Sequence, residues 1–151
     1  MITIKVEQQI PAAVEKVIYI LLEHQHLDRF FNAKFSIVKR ENDGELTGGK
    51  GAVRQVSIGK IVFKEQIISA EDNHICYRII GKGPVSEHQG DIYLTTVDGE
   101  KTADSPFRKA ATQLNYIIEF TGPKWCPNGI LKFFIERDIQ KAMKKLAEHF
   151  E

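Results

Sequence analysis

Four side chains able to do chemistry stand in strand-like stretches where alternation turns them toward one face: Arg54, Glu65, Tyr77 and His88. Arg54 alternates with Val56 and Ile58, Glu65 sits between Phe63 and Ile67, and Tyr77 lies between Ile75 and Ile79. His88 precedes Gly90 and Ile92 in the same rhythm. Successive side chains of a strand point to opposite faces, so each polar residue shares a face with its apolar neighbours. A guanidinium binds a carboxylate or carbonyl oxygen through paired donors, and a carboxylate, phenol or imidazole exchanges protons with such a ligand. Arg54 is therefore a candidate oxygen binder, and Glu65, His88 and Tyr77 are candidate acid–base groups. A second reading stays open beside this one. Arg54 and Glu65 on adjacent strands form a structural ion pair, since an unpaired buried charge is too costly. Tyr77 and His88 are then core side chains satisfied by their neighbours.

Other chemistries fit less well. His24-Gln25-His26 invites a metal, but no third ligand stands at suitable spacing; a surface corner between two helices is expected there, and no metal. Gly48, Gly49 and Gly51 would cradle a phosphate only if a helix followed. A strand-like stretch, Ala52 to Ile58, follows instead, so a loop or bulge is expected. Cys126 precedes Pro127 at a helix start, where a thiolate could be stabilised, but it has no identifiable base and reads as packing. The two cysteines, Cys76 and Cys126, form neither a metal motif nor a disulfide framework. No nucleophile elbow is present, and no cofactor is expected.

These groups need a sheet to hold them. Residues 2–9 alternate as a strand, and Pro11 opens a helix whose buried stripe is Val14, Val17, Ile18, Leu21 and Leu22. Leu27, Phe30 and Phe31 suggest a short second helix with its aromatics inward. Further strands are predicted over 34–41, 52–58, 61–71, 74–81, 87–97 and 112–121, joined by turn signals at Asn42-Asp43-Gly44, Gly59-Lys60, Glu71-Asp72-Asn73 and Gly81-Lys82-Gly83-Pro84. Asp98 to Lys109 is polar and reads as a long loop. Strands joined this closely form an antiparallel meander.

A helix is predicted over Pro127–Phe150. Leu131, Ile135, Ile139, Ala142, Leu146 and Phe150 line one face, widened by Phe134 and Met143. Pro127 suits its first turn and Asn128 can cap it, while Pro123 and Trp125 shape its entrance. Ile130 and Phe133 add apolar surface beyond what a helix wetted on one side needs. Either this is plain core packing, or the N-terminal half enters a cavity or covers its mouth. With 151 residues, one domain over 1–151 is expected. Hydrophobic residues make up 42%, charged residues 27%, and the net charge is +1. This balance argues against nucleic-acid binding, and no run is long enough for stable membrane insertion. The start of the chain lacks a secretory pattern, so a cytoplasmic protein is expected, as a monomer or homodimer.

Over nearly its whole length the chain resembles the START/SRPBCC superfamily, and within it the polyketide cyclase/dehydrase-like proteins. The resemblance rests on Ile10-Pro11-Ala12 before Val14 and Val17, Phe30-Phe31, Gly49 and Gly51 with Val53-Arg54, Glu65 and Tyr77-Arg78-Ile79. Gly90, then Thr112, Leu114, Tyr116 and Phe120, and the amphipathic last helix complete it. It implies an α+β helix-grip fold: a curved antiparallel sheet of about six to seven strands wrapped around the long C-terminal helix, with two short helices after the first strand. It also implies a small hydrophobic ligand, such as a lipid or a polyketide-like aromatic, bound or transported in an internal cavity. On the inward face the expected ligand-binding residues are Arg54, Phe63, Glu65, Tyr77, His88, Ile92, Tyr116 and Ile118, with Ile130 and Phe134 from the helix. The alternatives are a metal-independent cyclase or dehydratase using the acid–base groups, and a cochaperone-like interaction module. Fold does not choose among them.

Overall fold

A computed structural model describes residues 1–98 and 110–151. The bulk of the predicted 98–109 loop therefore lies outside the described residues. Strand β1 (Ile2–Ile10) leads to helix α1 (Val14–Leu21), a 3-10 helix (His24–Arg29) and β2 (Lys34–Lys39). The meander follows as β3 (Val53–Ile58), β4 (Ile61–Glu71), β5 (His74–Ile80), β6 (Ser86–Asp98) and β7 (Ala110–Thr121). Helix α2 (Asn128–His149) closes the order. The seven strands form one sheet, β1-β7-β6-β5-β4-β3-β2, and every neighbouring pair is antiparallel. The expected order of elements is the observed one, with boundaries displaced by a few residues.

Local chemistry explains the sheet's shape. Gly59 makes the β3–β4 hairpin at φ 60°, a left-handed conformation that glycine adopts without steric cost. The register slips between Ile67 and Ser69 on β4, and between Ser86 and Gln89 on β6, where Glu87 takes φ 53°. Bulges of this kind bend the bulged strand and raise its local twist, so long β4 and β6 can curve.

The concave face carries the core. Ile4, Leu114 and Phe120 are sealed from solvent in one cluster with Ile139, Ala142, Met143 and Leu146 of α2. Helix α2 lies along β1. Its C-terminal half follows the expected stripe, and Met143 widens it as expected. The N-terminal half departs from plain core packing. Ile130, Phe133 and Phe134 are 53%, 60% and 55% exposed, while Leu131 and Ile135 are half-buried. Only Leu131 and Ile135 of these turns pack against the core, while Ile130, Phe133 and Phe134 stand on the helix faces turned away from it. Asn128 does not cap the helix. Pro127 occupies the cap position, and no side chain bonds the first-turn amides.

This division of α2 has a measurable consequence. Leu146 is fully buried, so Leu146→Ala should cost about 2–5 kcal/mol. Phe134→Ala, at an exposed position, should stay within about 0.5 kcal/mol of the parent. Urea unfolding of both variants checks the ranking, and a larger loss for Phe134→Ala would contradict the placement of α2.

Candidate functional site

Strand register collects the polar residues on the concave face. Arg54 pairs with Glu65, Glu65 with Ile79, and Ile67 with Tyr77. Tyr77 then pairs with Gly90, Gly90 with Ile118, and Ile92 with Tyr116. Directly paired residues share a face, so Arg54, Glu65, Tyr77 and Tyr116 all turn inward. All four are buried, with Phe63, Ile92 and Ile118 on the same wall. His88, half-buried, enters from the bulged start of β6.

Arg54 is the hub. Its Nε and Nη2 both donate to Glu65 Oε1 at 2.9 Å, and its Nη1 donates to His24 Nδ1 at 3.2 Å. The guanidinium plane lies 5.0 Å from the Tyr77 ring centre and 5.5 Å from that of Phe35, a cation–π arrangement on both rings. Burial is the largest single influence and works against its charge, but the Glu65 carboxylate and the Tyr77 and Tyr116 hydroxyls together outweigh it and hold the group more firmly protonated than free arginine.

His24 corrects the expectation of a surface corner. It is 1% exposed, because the Gly48 loop folds over it. Its Nε2–H donates to the Gly48 carbonyl at 2.7 Å, which leaves Nδ1 as the acceptor for Arg54. Gly48 must be glycine there: its φ is 77°, and an added Cβ would stand 2.2 Å from the Leu22 carbonyl oxygen. The loop is tied further by the Gly48 N–H, which donates to Glu41 Oε1 at 2.8 Å. Burial first, and the Arg54 charge second, push the His24 imidazole down to about 4. It is therefore neutral at pH 7.

The second half of the site is aromatic. The Tyr77 ring lies across Gly90 so that its hydroxyl meets that of Tyr116. A Cβ on Gly90 would stand 2.3 Å from Tyr77 Cζ, so only glycine lets the ring lie there. The Tyr77 hydroxyl is held well above the ordinary phenol range, by burial first and the Tyr116 hydroxyl second. Burial raises Tyr116 as well. His88 accepts the Ile79 N–H on Nδ1 at 3.2 Å, and burial lowers its pKa. At neutral pH the wall thus offers protonated phenols, a neutral imidazole and an Arg54–Glu65 pair that is mutually neutralised. The basic Nδ1 of His88 is taken by the Ile79 N–H, so the set donates hydrogen bonds to an oxygen and offers no free base to remove a proton.

Some expected residues stand apart. Ile130 and Phe134 lie on the exposed first turns of α2 and do not pack with the buried polar set. A hollow of about 440 Å³ lies behind His24, outside the space between sheet and α2, lined in part by Tyr19, Leu22, His24, Ile37, Gly48 and Ala52. Among the described residues, no group of three or more His, Cys, Asp or Glu is placed to hold a metal. The sequence reading missed the Arg54–His24 bond and the Tyr77–Gly90–Tyr116 crossing. The signal for the second was a glycine inside a strand, which marks a close approach.

The family model described as "Polyketide cyclase / dehydrase and lipid transport" matches residues 1–151. No curated protein matches the chain by sequence. Among solved structures it is similar to the protein XoxI from Bacillus cereus, with 14% identity, a TM-score of 0.70, and coverage of 99% of this chain and 96% of that one. It is also similar to a START superfamily protein from Mycobacterium smegmatis, with 14% identity, a TM-score of 0.70, and coverage of 98% and 96%. A third is the protein CV1439 from Chromobacterium violaceum, with 16% identity, a TM-score of 0.65, and coverage of 99% and 96%. At these identities the likeness is one of fold, and the helix-grip architecture is that fold.

The buried imidazole sets a pH dependence. His24 titrates near 4 in the folded chain against 6.5 for an unperturbed histidine, so the unfolded chain binds the proton more tightly. Its contribution is full above pH 6.5 and is lost as pH falls toward 4. Between pH 7 and pH 5 the loss is about 2 kcal/mol. His24→Gln should therefore be less stable than the parent at pH 7 but show a shallower fall. Urea unfolding at the two pH values measures this, and equal slopes would contradict the neutral, bridging imidazole.

Proposed function

Because the chain belongs to the polyketide cyclase / dehydrase and lipid transport family, we propose that it binds a small hydrophobic molecule against the concave wall of its sheet, with residues 1–151 acting as one ligand-binding domain. The ligand class that fits is a lipid or polyketide-like aromatic bearing one polar oxygen. The observation that carries this reading is the pair of buried phenols, Tyr77 and Tyr116, meeting over Gly90 within an apolar wall. A mostly apolar surface with a few convergent polar groups is the usual profile of a small-molecule site. In this reading the phenols and His88 orient the ligand's oxygen. The Arg54–Glu65 pair is chiefly the fixed frame beneath them, since Arg54 already spends donors on Glu65 and His24 and stacks on Tyr77 and Phe35. Binding, with or without transport, is favoured over a cyclase or dehydratase for the same reason. The tyrosines hold their protons, and the Glu65 carboxylate is engaged by Arg54.

The test removes both hydroxyls together. Tyr77→Phe/Tyr116→Phe leaves no orphaned partner, and deleting both members of a hydrogen bond is close to neutral for stability. The double variant should keep its affinity for a purely apolar fluorescent probe. It should bind ketone-bearing analogues of that probe about tenfold more weakly than the parent, the scale of one lost hydrogen bond. Native mass spectrometry of protein purified from its own host should show a co-purifying small molecule of low polarity. A folded double variant with undiminished affinity for the ketone analogues would overturn the assignment.

A further inference from the structure

One end of the sheet gathers apolar side chains that nothing covers. The register places the β3–β4 hairpin, the β5–β6 turn, the end of β7 and the chain's Met1 at that same end. Trp125 is 84% exposed in the segment leading to α2, and Ile130, Phe133 and Phe134 follow on its first turns. Across the end, Ile58, Ile61 and Val62 are exposed at the hairpin tip. Seven large apolar side chains exposed at one end of the sheet point to an interaction surface.

The charges around it choose the partner. Segments 58–62, 81–87 and 121–136 carry Lys60, Lys82, Lys124 and Lys132, all exposed, against Glu87 and the half-buried Glu136 as their carboxylates. Lys34, opposite Ser57 at the start of β2, adds a fifth cation at this end. The whole chain carries a formal charge of only +1, so the molecule is electrically lopsided. Apolar tips within a ring of lysines complement an anionic bilayer: the apolar groups enter the headgroup boundary while the ammonium groups meet the lipid phosphates. Tryptophan favours that boundary through its apolar ring and polar N–H. A second copy seated on this face would satisfy the apolar groups but would bring the same lysines against these.

We propose that this end of the sheet is a peripheral docking surface for anionic lipid membranes. The association is reversible and lies on the bilayer surface; no helix among the described residues is long and apolar enough to cross it. Docking of this kind does not require the ligand reading above, and it can be tested without a ligand.

Trp125 is the chain's single tryptophan, so its emission reports the event directly. Vesicles of equal parts phosphatidylglycerol and phosphatidylcholine should shift that emission to the blue and carry the protein upward in flotation. Phosphatidylcholine alone should do neither, and about 0.5 M salt should release the protein, because screening shortens the reach of the charges. Lys124→Gln/Lys132→Gln should partition roughly 30-fold more weakly, at about fivefold per lysine. Phe133→Ser/Phe134→Ser, at exposed positions that leave the fold intact, should lose flotation while melting like the parent. Absence of both the blue shift and flotation would overturn the proposal, as would equal partitioning of the lysine variant. A blue shift that grows with protein concentration without vesicles, together with a sedimenting dimer, would assign the face to a second copy instead.

Discussion

A guanidinium cannot be buried alone, and the way this chain buries Arg54 governs much of what surrounds it. An isolated charge in a low-dielectric interior is prohibitive, and even a paired one is stabilising only with good geometry. Here the side chain takes a carboxylate from β4, an imidazole from the 3-10 helix after α1, and an aromatic face each from β2 and β5. Each partner then imposes a condition of its own. His24 must be neutral with its proton on Nε2, so Gly48 must present a carbonyl to it, and that loop closes over Leu22 only as glycine. One charge thus fixes the relation of the sheet to the helical segment that follows β1.

Most of the fold was legible because it depends on patterns that sequence displays. Period-two alternation and glycine turns marked the meander, and the stripe through Ile139, Ala142, Met143 and Leu146 marked the buried half of α2. The shared face was legible too: Arg54, Glu65 and Tyr77 were expected on one inward wall with Tyr116 and Ile118, and the pairing puts them there. What escaped depends on contacts between residues far apart in sequence. His24 looked like a surface residue because its environment is built by Gly48, 24 positions later. Tyr77 and Tyr116 meet only because Gly90 on the intervening strand lacks a side chain. The first turns of α2 read either as core or as a segment entering a cavity or covering its mouth, because periodicity reports which residues share a face and not what covers them.

The two halves of α2 are unlike in a way that bears on use. The C-terminal half completes the core, and the N-terminal half leaves Phe133 and Phe134 in solvent. Regions with few buried apolar contacts open at lower free energy than the core.

The central claim is that an apolar ligand rests on the concave wall and not in the hollow behind His24. An NMR titration with N-phenyl-1-naphthylamine, following side-chain signals, separates the two. The account predicts that the ring signals of Tyr77, Tyr116 and His88 shift in a saturable way. Saturable shifts confined to Tyr19, Ile37 and Thr47, which line the hollow, would contradict it.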